Sequence, residues 1–242
     1  AQSTDVSSAI SKYVDAIDMD YAYDLTYRLS TNTDLHENDL GFRTAGSDAE
    51  HAAADYIAKE MEDIGLKNVE KIPVTVDKWQ FNDASLTIEG TNIDIMPVSY
   101  MVNGTDTTGI TAEIVDCGSG FAEDYEGKDV AGKIALVGVD QYNEAWIDAY
   151  VYEADAHGAS AIVTYDLDGY GRYSDDEHQI QDVCVEDIMP IVCITKNEYT
   201  NIAKQLKKGH TQATLTVDSE MIKDGGTSYD VVGYIPGVHH DQ

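Results

Sequence analysis

The sequence predicts an α/β host fragment interrupted by an inserted, β-rich α+β domain. Three observations carry this. Residues 42–66 hold a well-marked amphipathic helix that needs a sheet to pack on. From Ala84 to Val217 the chain turns rich in β-branched and aromatic residues, with Gly and Asp between the runs. Two strand-like runs, 68–79 and 228–235, flank that region. The economical arrangement is a host sheet that sends out one strand, lets a second domain fold, and takes the chain back on a neighbouring strand. The expected parts are a host segment at 1–82, an insert at 83–222 and a return strand within 223–242.

The elements follow in chain order. Ile10, Val14, Ile17, Tyr21 and Leu25 step by three or four, which predicts helix over 5–30 with a break near Asp18–Asp20. Residues 31–46 are a polar loop. Ser47 stands three residues before Glu50, the spacing of a reciprocal capping box. Ala54, Ile57, Ala58, Met61 and Ile64 then mark one apolar face, and Gly65 is a left-handed stop with Leu66 packing back behind it. The segment 68–81 reads as a strand leaving its sheet near Trp79.

Within the insert, "SLTIEG", "IDIMPVSYM" and "TAEIVDCG" are short strands. "KIALVGVD" is apolar throughout, as buried parallel strands are. Residues 143–159 read as helix and "SAIVTYD" as the next strand, which makes a β-α-β crossover. "IMPIVCIT" is another strand, "KNEYTNIAKQLKKGH" a helix stopped by Gly209, and "TQATLTVDS" the closing strand. "EMIKDGG" reads as a linker to the alternating strand "TSYDVVGYIPG" at 227–237.

Composition narrows the function. The formal net charge of −30 repels nucleic acid and anionic membranes. No run of about 18 apolar residues exists, so no membrane-spanning helix is expected. The acidic surface and the start without Met fit a processed protein that is secreted or at a cell surface. Three cysteines, Cys117, Cys184 and Cys193, are too few for a disulfide scaffold and sit in apolar contexts that favour buried thiols. A Cys184–Cys193 bridge remains open. No Gly-x-Ser-x-Gly, phosphate-cradling loop or basic aromatic surface is present, which disfavours a serine hydrolase, an NTPase and a nucleic-acid binder.

Three stretches resemble the aminopeptidase Y-like family of zinc exopeptidases, relatives of glutamate carboxypeptidases and the transferrin receptor. "RTAGSDAEHAAADYIAKEMEDIGL" resembles the family's Arg-x-x-Gly-Ser segment and following helix. "DVAGKIALV" and "EADAHGASAIVTYD", followed by "MPIVCIT", resemble the protease-associated (PA) domain inserted in those enzymes. "SYDVVGYIPG" resembles a family strand, with Asp230 at a position where the family has Asn. The resemblance implies that 1–82 and 223–242 begin a zinc-peptidase α/β domain. It implies a PA insert that covers the active site and helps select peptide or protein substrates. Two zinc ions are expected in the full-length enzyme, held by ligands beyond Gln242. This chain alone is then expected to hold no cofactor, no metal ligands and no catalytic residues, and to be inactive. The alternative is a binding ectodomain of a peptidase-like receptor without catalysis.

Candidate ligands are weighed against that frame. His239-His240-Asp241 has the spelling His-x-Asp, but only Val238 separates it from the Pro-Gly turn, so a loop is favoured over a metal site. Asp166, Asp168, Gly171 and Glu177 match positions 1, 3, 6 and 12 of a calcium loop over 166–177; Tyr170 stands where Asp or Asn belongs, and a solvated acidic loop is the favoured reading. His157 reads as a structural helix-end histidine. If the strands 133–140 and 160–166 run parallel, their carboxyl ends share an edge, the usual place for a ligand cleft. The loops leaving that edge carry Tyr142, Trp146, Tyr170, Arg172 and Tyr173, the expected peptide-contact residues. Against this, Trp146 also reads as core.

Overall fold

The computed structural model describes residues 2–37, 41–97, 104–140, 148–168, 174–178 and 188–237. The chain divides into two compact units, one comprising Ala1–Lys78 and Asp224–Gln242, the other Trp79–Lys223.

The first unit begins with α1 (Gln2–Asp15) and α2 (Met19–Thr31). Asp18 makes the break between them: its carboxylate accepts from the Tyr21 N–H at 2.9 Å and caps α2. The apolar stripe expected along this stretch does not enter a core. Val6, Ile10, Val14, Ile17 and Tyr21 are all exposed. A short 3-10 turn, Thr33–Leu35, lies in the segment expected to be plain loop, and Leu35 is buried.

Helix α3 (Asp48–Asp63) starts at Ser47, whose hydroxyl accepts from the Glu50 N–H at 3.1 Å. Only this half of the expected capping box forms. The Ser47 N–H goes to the Thr44 carbonyl at 3.1 Å, closing the turn before the helix. The Glu50 carboxylate is left 3.7 Å from His51 Nε2. At the other end Gly65 takes φ +97° and the Leu66 N–H returns to the Met61 carbonyl. The buried face is Ala49, Ala53 and Ala54; Ile57 and Ile64, expected inside, are exposed. Small residues win here because backbones meet closely. A Cβ on Gly46 would stand 2.9 Å from the Gly226 Cα.

Two long strands serve both units: β1 (Lys67–Ile88), which here runs through Trp79 without a break, and β8 (Gln212–Tyr234) at the end of the fold. The segment expected as the "EMIKDGG" linker is strand. β1 and β8 are sheet neighbours, so each supplies the other's hydrogen bonds and neither needs to end. Asp224 takes φ +51°, and its N–H is satisfied by the Asp77 carboxylate at 2.7 Å.

The second unit adds β2 (Thr91–Ile93), β3 (Ile95–Pro97), β4 (Ile110–Asp116), α4 (Ala122–Tyr125), β5 (Ile134–Asp140), α5 (Ala149–Ala156), β6 (Ala161–Asp168), β7 (Ile191–Ile194) and α6 (Lys196–Leu206). The sheet order is β2-β1-β8-β4-β5-β6-β7-β3. β4, β5, β6 and β7 are parallel neighbours, β3 and β8 run antiparallel at the two sides of that block, and the sheet is therefore mixed. Ile134 to Val137 are fully buried, as the unbroken apolar run of β5 requires. One core packs α5 residues Tyr150, Val151 and Ala154 against Val137, Ile162 and Cys193. The other packs Ile202 of α6 against Leu136, Val163 and Leu215. Of the expected helix 143–159, residues 149–156 form α5 and 143–147 lie outside the described residues. No helix among the described residues is long and apolar enough to cross a membrane.

Candidate functional site

The parallel block puts four strand ends along one edge. β4 ends at Asp116 and β5 at Asp140, which pairs across to Asp168 at the end of β6 after a register shift. β7 runs into Thr195, whose hydroxyl accepts from the Glu198 N–H at 3.1 Å and caps α6. The edge is thus set by three parallel pairings and a capped helix, and Asp116 and Asp140 stand at strand ends along it.

One aromatic stack is built into it. Tyr165 of β6 and Tyr199 of α6 lie face to face, ring centroids 3.8 Å apart. The Tyr199 hydroxyl donates to Asp116 Oδ2 at 3.4 Å, while Asp116 Oδ1 accepts from the Gly118 N–H at 3.1 Å. Gly138 makes the room: a Cβ there would sit 2.7 Å from Cζ of Tyr165 and 2.6 Å from Leu167 Cγ. Burial, with a hydrogen bond to Tyr199, pushes the Tyr165 phenol well above its ordinary pKa. It is therefore a neutral hydroxyl and no general base. Asp166, buried at 7% exposure, has Oδ2 3.6 Å from Lys196 Nζ.

The expected contact residues Tyr142, Trp146, Tyr170, Arg172 and Tyr173 lie outside the described residues. The strand ends that border those residues in sequence are described, and Asp140 and Asp168 are register partners there. Sequence reasoning did not single out Asp116, Tyr165, Lys196 or Tyr199. The available signals were Asp116 at a strand end before Cys-Gly, and Lys196 directly after a helix cap.

The calcium-loop reading meets a geometric obstacle. Asp166 and Asp168 belong to a β-strand, not a loop, and Asp166 is engaged by Lys196. Gly171 lies outside the described residues, and Glu177 accepts from the Ser174 N–H at 2.7 Å. His157 caps α5, stacks on Tyr125 at 4.5 Å and reaches Glu153 at 3.2 Å, a structural histidine. His239, His240 and Asp241 lie outside the described residues. Among the described residues no three His, Cys, Asp or Glu stand together to hold an ion. These residues therefore do not fit a zinc site, and no step through zinc is assigned to them.

The described thiols are core groups. Cys117 and Cys193 are free and buried; burial pushes Cys193 up to about 12 and raises Cys117 as well. Cys184 lies outside the described residues.

At the opposite, N-terminal end of β4 a pocket of about 360 Å³ is lined by Asp83, Thr105, Asp106, Thr107, Thr216 and Asp218. Asp106 there holds its own turn, accepting from the Thr108 hydroxyl at 2.6 Å and from the Thr108 and Gly109 N–H groups.

Comparison with known proteins decides what the parallel block is. Residues 110–202 match the PA domain family model. The chain carries a PA domain. The structural likenesses extend beyond the PA domain. An aminopeptidase from Aneurinibacillus sp. strain AM-1 superposes with a TM-score of 0.60 at 24% identity, covering 92% of this chain and 49% of that one. The zinc aminopeptidase BSAP from Bacillus subtilis gives 0.61 at 23% identity, covering 86% and 46%. A peptidase M28 precursor from Shewanella amazonensis gives 0.60 at 21%, covering 88% and 52%. These likenesses establish a shared fold, in agreement with the zinc-exopeptidase resemblance in the sequence. The chain spans about half the length of the structures it matches. A search of curated proteins finds no significant match.

Proposed function

We propose that this chain is the non-catalytic, PA-bearing portion of a secreted or cell-surface zinc aminopeptidase. Residues 1–82 and 223–242 are its start of the peptidase domain, and the PA insert at 83–222 contributes to choosing peptide substrates. The observation that carries the reading is the shared fold across both units with a zinc aminopeptidase about twice as long. In this reading the two zinc ions and their chemistry belong to the full-length enzyme, as in the zinc aminopeptidase whose fold it shares.

The edge above β4, β5 and β6 suits the selecting role. The acidic residues there, Asp140 among them, would attract a free peptide amine, and Arg172 would meet a carboxylate. Tyr142, Trp146, Tyr170 and Tyr173 supply aromatic contact. The test is hydrolysis of aminoacyl p-nitroanilides by the full reading frame and by the 242-residue chain. The reading expects chelator-sensitive turnover in the first and none in the second. In the full enzyme, Tyr170→Ala and Arg172→Ala should raise KM with kcat held. Chelator-sensitive hydrolysis by the short chain overturns the non-catalytic assignment. A full-length protein that binds no zinc, yet binds peptide, favours a receptor ectodomain instead.

A further inference from the structure

The 242 residues hold 45 Asp and Glu, yet none of these acids falls between Tyr199 and Val217. This is the longest acid-free run in the chain, and it holds three of the 15 Lys and Arg: Lys204, Lys207 and Lys208. The structure gathers all three at one end of α6, within the second unit. The helix buries Ile202 and leaves Thr200, Asn201 and the three lysines exposed. Its end is a closed turn. The Gly209 N–H goes to the Leu206 carbonyl at 2.9 Å and the His210 N–H to the Gln205 carbonyl at 3.1 Å, with Gly209 at φ +82°. The lysines therefore stand on a fixed turn and not on a frayed end. The Thr211 carbonyl then accepts from the Ile114 N–H at 2.8 Å, and Ile114 is the register partner of Ile134 at the start of β5. The basic end of α6 thus lies beside the start of β5, while Asp140 stands at the other end of that strand.

Helix stability asks for less than this. A cation in the last turn offsets the helix dipole, and Lys204 already holds that place. Other lysines are engaged by carboxylates: Lys59 by Asp63, Lys71 by Asp55, Lys133 by Glu113 and Lys196 by Asp166. Among the described residues Lys204, Lys207 and Lys208 have no such partner. Glu89, on the strand side of the turn, instead accepts from the Gln212 N–H at 3.2 Å. We infer that the end of α6 at Lys204, Lys207 and Lys208 is a docking surface for a carboxylate-rich polypeptide segment. This surface goes beyond the proposed function: it lies apart from the strand-end edge and needs no zinc. Charge and footprint choose the occupant. At about 0.15 M salt the Debye length is about 8 Å, so a ligand held within the patch feels the three lysines and little of the −30 around them. An extended acidic segment carries a carboxylate about every 3.3 Å, so about three fit inside that length. Thr200 and Asn201, one turn before Lys204 on the same exposed face, offer hydrogen bonds to its backbone. Duplex DNA, with a charge about every 1.7 Å, and an anionic membrane run far past the patch and meet the surrounding acids.

Fluorescence anisotropy with the 242-residue chain tests it. The probe is a labelled hexaglutamate peptide, with hexaglutamine as its neutral counterpart. At about 0.15 M salt the acidic peptide should bind and the neutral one should not. The combined variant Lys204→Gln, Lys207→Gln, Lys208→Gln should bind about tenfold more weakly or worse, three exposed ion pairs being lost together. Lys128→Gln, the same charge change at an exposed site elsewhere in this unit, should bind as the parent does. Affinity should be greatest near 0.15 M. At about 0.01 M the Debye length of about 30 Å brings the whole −30 to bear on the peptide, and at about 1 M the lysines themselves are screened. Amide hydrogen exchange that slows across 200–212 when the acidic peptide is added to the unsubstituted chain gives the same reading if the combined variant fails to fold. Binding that the combined variant keeps, or equal binding of the two peptides, overturns the docking surface. Affinity that is greatest at about 0.01 M overturns the choice of a short occupant. Duplex DNA or phosphatidylserine vesicles that bind through the same lysines more tightly than the peptide assign the surface to another polyanion, and overturn it as well.

Discussion

Tyr199 lies flat on Tyr165, ring planes 11° apart, and its hydroxyl reaches Asp116 at 3.4 Å, so one side chain of α6 ties together the ends of β4 and β6. Gly138 lies beneath this tie on β5, the strand between them. Gly138→Ala should therefore push the Tyr165 ring away and cost about 1–3 kcal/mol, the range for overpacking a tight core. Tyr199→Phe keeps the stack and loses one hydrogen bond, at about 0.5–1.5 kcal/mol. Chemical denaturation of the two variants gives the order. A Gly138→Ala protein as stable as the parent would show that the ring has room elsewhere.

The cap of α3 makes an asymmetric prediction. Ser47→Ala should cost about 1 kcal/mol, because the Glu50 N–H loses its acceptor. Glu50→Gln should cost far less than loss of a reciprocal capping bond, since Ser47 N–H is already satisfied by Thr44. Thermal melts of both variants check this, and equal losses would restore the reciprocal box.

That cap also marks how far the sequence could be read. Start and stop signals are local chemistry: Ser47, Gly65 and Gly209 act within a few residues, and the helix ends they predict are where the structure has them. The unbroken apolar run of β5 likewise announced a buried parallel strand. What failed was long-range. "EMIKDGG" looks like a linker until β1 lies beside it to supply hydrogen bonds. Ile57 and Ile64 look like core until the close Gly46–Gly226 approach draws the alanine side of α3 inward. The edge network was hidden for the same reason: Asp116, Tyr165 and Tyr199 are 83 positions apart at the extremes and meet only through the β4-β5-β6 order.

The thiols should behave as core groups. At pH 8 a disulfide reagent should leave Cys117 and Cys193 unmodified in the folded chain, because burial raises both pKa values and keeps the reactive thiolate scarce. Replacing both by Ala should leave native-state labelling unchanged and add lability instead. Fast labelling lost in Cys193→Ala would contradict its placement in the α5 core.

The last prediction concerns pH and the turn at Asp106. Hydrogen bonds from Thr108, side chain first and then backbone, hold this carboxyl below its ordinary pKa. A folded pKa below the unfolded value means that the unfolded chain binds the proton more readily. The stabilisation is then complete above the unfolded pKa of about 3.9 and is lost as pH falls through the lower folded value. Asp106→Ala should accordingly lower Tm at pH 7, and the deficit should shrink toward zero as both proteins are acidified below pH 3. Salt separates this local effect from the global charge. Raising salt from about 0.15 M to 1 M shortens the Debye length from about 8 Å to about 3 Å, which should raise the Tm of parent and variant alike by relieving the −30 self-repulsion. The difference between parent and variant should persist in high salt at pH 7, because a hydrogen-bonded turn is not undone by screening. A deficit that vanishes in salt at pH 7, or that stays constant down to pH 2, would show that Asp106 acts through surface charge and not through its turn.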